Sequence, residues 1–461
     1  MLVLQSIHSP PTYSHMNNIA TLGTMVFRLV SFNTLVPRRM LTTCCASTTK
    51  KSKKEKVIVI SGPTGAGKSR LALELAKKLN GEIISADSVQ VYQGLDIGSA
   101  KPSLNDRKEV PHHLVDILHP CEDYSVGRFF NDGRKATRDI IENGCVPIVA
   151  GGTGLYLRWY IYGKPEVPKA SPEIASEVRS EIFDFQRRGD WDGAVQLVVK
   201  AGDPKAQYLT FNDWYRLKRS LEIIKSSGSP PSAFQVPYDS FRNPSDSGAA
   251  GPPIDSAFIN NKIDDVSKDL EYDFKCFFLS SQRLDLYRQI DQRCENMLSG
   301  VEGLLSEASQ LLDLSLLPNS NSASRAIGYR QAMEYLLYCQ QQGGRSSAGE
   351  FFEFLSRFQQ ASRNFAKRQL TWFRNENIYQ WIDASQPLDK VLNFIYDAYH
   401  DKSGNLVVPE SLQMKKDLSS RSEISGLKAY RTKNRHLVRR EDCADILNWI
   451  RMTQTQHNLV H

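Results

Sequence analysis

The sequence predicts an α/β fold: a P-loop parallel sheet flanked by helices, with an inserted helical subdomain and a helical C-terminal part. Three observations carry this. A β-branched run, KVIVIS at Lys56–Ser61, leads straight into the glycine-rich loop 62–67. The next segment, Lys68–Leu79, places Leu71, Leu75 and Leu79 at helical spacing. Two further apolar runs, EIISA at Glu82–Ala86 and VPIVA at Val146–Ala150, bracket a helical pattern over Phe129–Glu142. Strand–helix–strand alternation with short loops is how a parallel sheet covered by helices reads in one dimension.

The remaining elements follow in order. From Pro165 to about Gln207 the chain turns helical and charged without strand-like runs, as expected of a helical insertion over 165–210. Residues 226–262, rich in Ser, Pro, Gly, Asn and Asp, are too long for an ordinary connector and predict a mobile loop. DFKCFFL at Asp273–Leu279 predicts one more strand, and periodicity predicts helices over Leu284–Leu312 and Ser347–Phe373. The chain thus divides into a leader (1–54), a phosphate-loop core (55–164), the insertion (165–210), the remainder of the core with further helices (211–400) and a basic tail (401–461).

Composition bounds the function classes. With 461 residues, 41% of them hydrophobic, the chain can build a large core, which excludes collagen, coiled coil and wholesale disorder. No run of about 18 apolar residues occurs, so no membrane-spanning helix is predicted and no membrane partner is expected. The net charge of +7 comes entirely from Arg28, Arg38, Arg39, Lys50, Lys51, Lys53 and Lys54; beyond them 51 basic residues face 51 acidic ones. Any polyanion site must therefore come from local clusters. The acid-free, Ser- and Thr-rich leader reads as a transit peptide, which predicts a plastid or mitochondrial protein. The alternative is a cytoplasmic protein starting at Met16, Met25 or Met40. The eight cysteines are scattered without a C-x-x-C and predict neither a disulfide framework nor a zinc module.

The chemistry begins at Gly62-Pro63-Thr64-Gly65-Ala66-Gly67-Lys68-Ser69, which fits G-x-x-x-x-G-K-[ST] between a strand and a helix. Glycines let backbone N–H groups converge on phosphate oxygens, Lys68 adds a point charge, and the Ser69 hydroxyl suits Mg²⁺. The motif leaves open whether the ligand is a nucleoside triphosphate or another diphosphate ester. Asp87 ends the second strand at the carboxyl edge where open α/β sheets place ligands. It suits a general base or a holder of metal-bound water, and equally a turn cap. Gly151-Gly152-Thr153-Gly154-Leu155-Tyr156 leaves the third strand where a nucleotide hydrolase would place a metal-binding Asp, which hints at transfer chemistry. Two later clusters mix cations with aromatics: Arg325-Ala326-Ile327-Gly328-Tyr329-Arg330-Gln331, and Lys367-Arg368-Gln369-Leu370-Thr371-Trp372-Phe373-Arg374 with Arg363 upstream. Cations for phosphates beside rings for unstacked bases suit RNA loops, although the second cluster also reads as an amphipathic helix with Trp372 and Phe373 in the core. Arg216 and Arg219 fall on one helix face, suited to surface ion pairs or to a phosphate. His112, His113 and His119 lack partners at metal-ligand spacing. The tail's Lys428, Arg431, Lys433, Arg435, Arg439 and Arg440, with no acid between them, read as a solvated run or an accessory RNA contact.

Together these segments resemble the tRNA dimethylallyltransferase (tRNA isopentenyltransferase) family. The resemblance rests on GPTGAGKS (62–69), ADSVQVYQGLDIGSAKP (86–102), PHHLVDILHPCEDYSV (111–126) and GGTGLYL (151–157). It continues through ND-x-x-R-x-x-R (212–219), R-x-x-GYRQ (325–331) and AKRQLTWFR (366–374). It implies transfer of a dimethylallyl group from dimethylallyl diphosphate to the exocyclic amine of the adenine 3′ of the anticodon, with Mg²⁺, and a product that is a precursor of cis-type cytokinins. By the resemblance the loop Gly62–Ser69 holds the donor's diphosphate, Asp87 is the base, and Thr153 and Arg216 serve the reacting centre and the departing diphosphate. Asp87, Ser88, Val89, Gln90, Arg219, Arg325, Tyr329, Arg330, Lys367, Arg368, Gln369, Trp372 and Arg374 fall in stretches that contact the tRNA anticodon loop, and the insertion also binds tRNA. A monomer is expected. Unlike members with a C-terminal zinc finger, the tail holds only Cys443, and the 226–262 loop is longer than the family usually shows. The competing readings are an adenylate isopentenyltransferase acting on free nucleotides, a P-loop phosphotransferase or NTPase with an ATP-binding site, and a non-catalytic RNA-binding protein.

Overall fold

The computed structural model describes residues 54–234, 237, 270–300, 303–402, 407–416 and 421–455. The leader 1–53 and most of the 226–262 loop lie outside the described residues. The sheet has six strands, all parallel: β1 (Lys56–Ser61), β2 (Gly81–Ser85), β3 (His112–His113), β4 (Val146–Gly151), β5 (Asp273–Ser280) and β6 (Gln380–Asp383), in the spatial order β3-β2-β4-β1-β5-β6. The central strands are buried on both faces, and their alternation sorts side chains into two cores. Val57, Val59, Ile84, Val149 and Phe278 face one way, while Ile58, Ile60, Ile83, Ile148 and Phe277 face the other. A fully buried side chain of this size stabilises the fold by roughly 1.5–3 kcal/mol.

The second face is covered by α1 (Lys68–Leu79), through Leu71 and Leu75, and by α12 (Leu388–His400), through Val391, Phe394 and Ile395. The first face is larger. It carries α3 (Val126–Glu142) and α4 (Gly154–Tyr162), and then a helical assembly of α8 (Arg283–Leu298), α9 (Leu304–Asp313), α10 (Tyr329–Gln341) and α11 (Ala348–Arg374). A short α2 (Leu104–Glu109) opens on a capping box at Ser103 and Asp106.

Several boundaries differ from the sequence reading. The pattern over 284–312 is two helices, because Ser299 ends α8 and Gly303 starts α9. The insertion does not stop at 210: α5 (Pro172–Arg188), α6 (Trp191–Ala201) and α7 (Trp214–Ser227) share one apolar core of Val178, Ile182, Trp191, Val198, Leu217 and Leu221. Inside it, the Ser220 hydroxyl donates to Asp203 at 2.5 Å. Helix α7 also takes the first two residues of the expected 226–262 loop, and a further short helical turn forms over Pro231–Ala233. The tail is not merely a charged extension. It contains α13 (Arg421–Ala429) and α14 (Ala444–Gln454), and buries Leu437, Cys443 and Ile450 in the larger core.

Candidate active site at the carboxyl edge of the sheet

Because every strand runs the same way, the loops after β1, β2 and β4 open on one edge, and Gly62–Ser69, Asp87 and Thr153 lie in those loops. The loop after β1 turns through Gly65 (φ 84°) and Gly67 (φ 83°), left-handed conformations that a Cβ would strain, and delivers Lys68 and Ser69 to the first turn of α1. Lys68 folds back so that its Nζ donates to the Pro63 carbonyl at 2.9 Å. Burial and the nearby Arg293 pull its ammonium down to about 8, opposed by the carboxylate of Asp87. Ser69 is exposed.

Asp87 follows β2. Its Oδ1 accepts from the Val89 N–H at 2.8 Å and from the Gln90 N–H at 3.4 Å, so the turn-capping role is real. That cap engages one oxygen, and the carboxylate lies within electrostatic range of Lys68 and Arg293. The two roles weighed from the sequence are therefore compatible. Gln90 spends its amide within the protein, accepting from Ser85 Oγ at 2.7 Å and donating to the carbonyls of Ser99 and Ala100. Ser88 and Val89 are half-buried beside it.

Thr153 caps α4 with its backbone only, which leaves the hydroxyl free of the helix end. The glycine turn before it is joined to the phosphate loop by Gln369: the Thr64 N–H donates to Oε1 at 2.9 Å, and Nε2 donates to the Gly152 carbonyl at 3.0 Å. A Cβ at Gly152 would stand 2.3 Å from that Nε2, so a side chain there would push the Gln369 amide out of its bond to the carbonyl. Gln369 is buried, as is Tyr329, whose hydroxyl donates to Glu307 at 2.7 Å. In the ligand-free chain both side chains are spent internally: Gln369 clips two loops together, and Tyr329 anchors a third. Glu307 also accepts the N–H groups of Asp96, Ile97 and Gly98 at 2.7, 2.7 and 2.9 Å, holding the DIGSAKP segment in place. Beside it the almost fully buried Lys101 donates to Asp96 at 2.6 Å and to Asp116.

The cation–aromatic clusters split by face. Arg325, Lys367 and Arg368 are exposed, Arg330 and Arg374 half-buried, and Phe373 lies in the core. Trp372 is half-buried with the Arg158 guanidinium 4.1 Å above its ring, and Arg158 in turn pairs with buried Glu376 at 2.7 Å. The amphipathic reading of that helix holds for Phe373, and the exposed cations leave a face open for the RNA contact expected from the sequence.

Arg216 stands in the first turn of α7, exposed and 3.4 Å from its own cap residue Asp213. Arg219 pairs with Glu222 at 3.1 Å. The cation that the fold brings to Lys68 and Asp87 is instead Arg293 of α8, half-buried and held below its ordinary range by burial. Sequence reasoning missed it because nothing marks one arginine in a charged helix. It also missed Tyr208, Phe211 and Tyr215, large rings that are 81%, 68% and 67% exposed on the insertion next to Arg216. Burial raises the phenol of Tyr156, with Tyr92, Asp87 and lastly Tyr215 adding to it, which puts Tyr215 within electrostatic range of a residue that also senses Asp87.

Among the described residues no cluster of three or more His, Cys, Asp or Glu could hold a metal ion. The available oxygens, the Ser69 hydroxyl and the Asp87 carboxylate, suit an ion such as Mg²⁺, which takes few protein ligands and completes its shell with phosphate and water.

Comparison with known proteins adds the following. The family described as IPP transferase matches residues 90–376, and that described as isopentenyl transferase matches 55–112. The chain is 65% identical over 396 residues to tRNA dimethylallyltransferase 9 of Arabidopsis thaliana, covering 86% of each chain. It is 39% identical to the tRNA dimethylallyltransferase of Protochlamydia amoebophila, covering 71% of this chain and 84% of that one. Among solved structures it is similar to a eukaryotic dimethylallyltransferase acting on tRNA, with a TM-score of 0.57 at 26% identity over 77% of this chain and 81% of that one.

Proposed function

The chain belongs to the tRNA dimethylallyltransferase family and is a tRNA prenyltransferase, and from that premise we propose how its residues divide the reaction. The cradle Gly62–Ser69 takes the diphosphate of dimethylallyl diphosphate. The acceptor is the exocyclic amine of the adenine 3′ of the anticodon. That amine is a poor nucleophile, because its lone pair is delocalised into the ring, so the reaction needs alignment, proton removal and neutralisation of the departing charge. Asp87 accepts the amine proton on the oxygen not held by Val89 and Gln90. Lys68 and Arg293 neutralise the diphosphate as the allylic C–O bond breaks. Thr153, whose hydroxyl is not used by its helix, contacts the reacting centre. The observation that carries this assignment is the Asp87 carboxylate set within electrostatic range of both cradle cations.

Extruding the adenine costs a few kcal/mol. Exposed Arg325, Lys367 and Arg368, with Arg330 and Arg374 beside them, offset that cost on the RNA backbone, and the rings Tyr208, Phe211 and Tyr215 with Arg216 offer a stacking rim on the insertion. Mg²⁺ would be held by Ser69 and the donor's phosphate oxygens, where it would supply further charge neutralisation. Import into a plastid or mitochondrion through residues 1–54 and action as a monomer complete the reading, and a product that feeds cis-type cytokinins follows from it.

The test is labelled dimethylallyl diphosphate offered with tRNA or with AMP. Label should enter tRNA alone; entry into AMP would identify an adenylate isopentenyltransferase, and ATP turnover without transfer would identify a phosphotransferase. A fusion of residues 1–54 to a reporter should concentrate in an organelle, and a diffuse cytosolic signal would refute import.

A further inference from the structure

We propose that the docked tail segment around residues 431–435 is an additional contact surface for the phosphodiester backbone of the tRNA substrate; this rests on the tRNA-prenylating reading above. The segment lies beyond residue 376, where the family match ends. An ordinary charged tail is solvated and unordered, but this one is fastened by its backbone. Glu295 of α8, 1% exposed, accepts the N–H groups of Arg435 at 2.9 Å, His436 at 3.4 Å and Leu437 at 3.2 Å. Asp291, one turn earlier and 2% exposed, accepts from the Tyr430 hydroxyl at 2.8 Å and pairs with Arg363. Gln359 donates to Asn434 at 2.9 Å, and Arg363 donates to the Thr432 hydroxyl at 3.0 Å.

The two acids of α8 that hold the segment are thus buried and already engaged. The alternate residues Arg431, Lys433 and Arg435 turn exposed side chains outward, while Thr432 and Asn434 face the protein. The result is a row of cations whose backbone order has been settled before any ligand arrives. A preorganised row loses less freedom on binding a polyanion than a flexible one. The partner is fixed by position. The segment docks on Arg363 of α11, one turn before exposed Lys367 and six residues, roughly 9 Å, before the Gln369 that touches the phosphate loop. An RNA whose base enters the site therefore has its backbone within range of this row. Because α8 shows Asp291 and Glu295 to the tail and Arg293 to the site from opposite sides, the contact should act on tRNA binding and not on the chemical step.

The test is the triple variant Arg431→Gln, Lys433→Gln and Arg435→Gln in the full chain. The docking bond at residue 435 comes from its N–H and survives the change. The expected result is tRNA binding weakened about tenfold at physiological salt, with the slope of log affinity against log salt smaller by about 2, since each phosphate contact contributes roughly 0.7–0.9. KM for tRNA should rise, kcat and KM for dimethylallyl diphosphate should hold, and the lysine variants Arg431→Lys and Arg435→Lys should behave like the native chain. An unchanged salt slope would overturn the proposal. So would an unchanged tRNA affinity combined with lost binding to phosphatidylserine vesicles, which would make the row a membrane contact. Failure of the native chain to prenylate any tRNA would instead defeat the functional reading.

Discussion

The phosphate loop and the Glu295 socket solve the same problem in opposite ways. Both are points where negative charge belongs, one met by a buried carboxylate on successive N–H groups and the other flanked by cations. In the tail the charge is built in: Glu295 receives the N–H groups of 435–437 and the socket is closed for the life of the fold. Glu307 does likewise for 96–98. At 62–69, among the described residues, no carboxylate accepts from the loop's N–H groups. Lys68 stands near Arg293 with Asp87 as the one opposing carboxylate, and in the proposed reading a substrate supplies the remaining negative charge. The difference teaches how to separate structural from functional anion sites: the first are satisfied within the chain, and the second are left with cations whose repulsion a ligand relieves.

The sharpest way to break this comparison is at the open site. Asp87→Asn keeps an oxygen for the Val89 and Gln90 N–H groups but cannot take a proton. Transfer should fall about 10²–10⁴-fold in single-turnover assays while donor and tRNA affinities hold. Activity near the native level would remove Asp87 from the base role.

At the closed sockets the loss should be one of stability. Glu307→Ala strands three N–H groups and the Tyr329 hydroxyl, so urea unfolding should show a loss on the order of 3 kcal/mol. Glu295→Ala, on the outer flank, should cost about 2 kcal/mol and open the 428–437 segment to limited proteolysis, with donor binding intact. If Glu295→Ala abolished donor binding instead, the division between the two kinds of site would fail.

The smallest effect is a proton. With Lys68 lowered to about 8 in the ligand-free chain, a fraction of it is neutral at pH 8 and most of it at pH 9. A bound diphosphate favours the charged form, so binding should take up protons there and weaken as pH rises through 8. Calorimetry in buffers of different ionisation enthalpy reads the uptake, which Lys68→Met should abolish.

How much of this was legible in the sequence depended on the range of the interaction. Strands β1, β4 and β5 and helices α1 and α11 were readable because apolar periodicity and a glycine motif are local signals. β3 and β6, at two and four residues, are too short to have a period, and owe their existence to pairing with β2 and β5. The Asp213 cap that starts α7 was present in the sequence, but only packing of Leu217 and Leu221 against α5 and α6 reveals which subdomain owns the helix. In the site, Asp87 was legible from its place at a strand end. Arg293 was not, since only the turn of α8 brings it to Lys68. Tyr329 and Gln369 sit in cation-rich motifs, and a motif does not say which face of its helix is buried.

The two-way amide of Gln369 has a genetic corollary. A single base change converts its codon to one for glutamate, which has nearly the same shape. The acceptor for Thr64 would survive, but the partner of the Gly152 carbonyl would become a second acceptor, and a fixed anion would sit beside the loop proposed to take the diphosphate. Gln369→Glu should therefore behave as a self-inhibited allele, folded but competing with its own substrate, and random mutagenesis under selection for prenylated tRNA should leave that accessible neighbour empty.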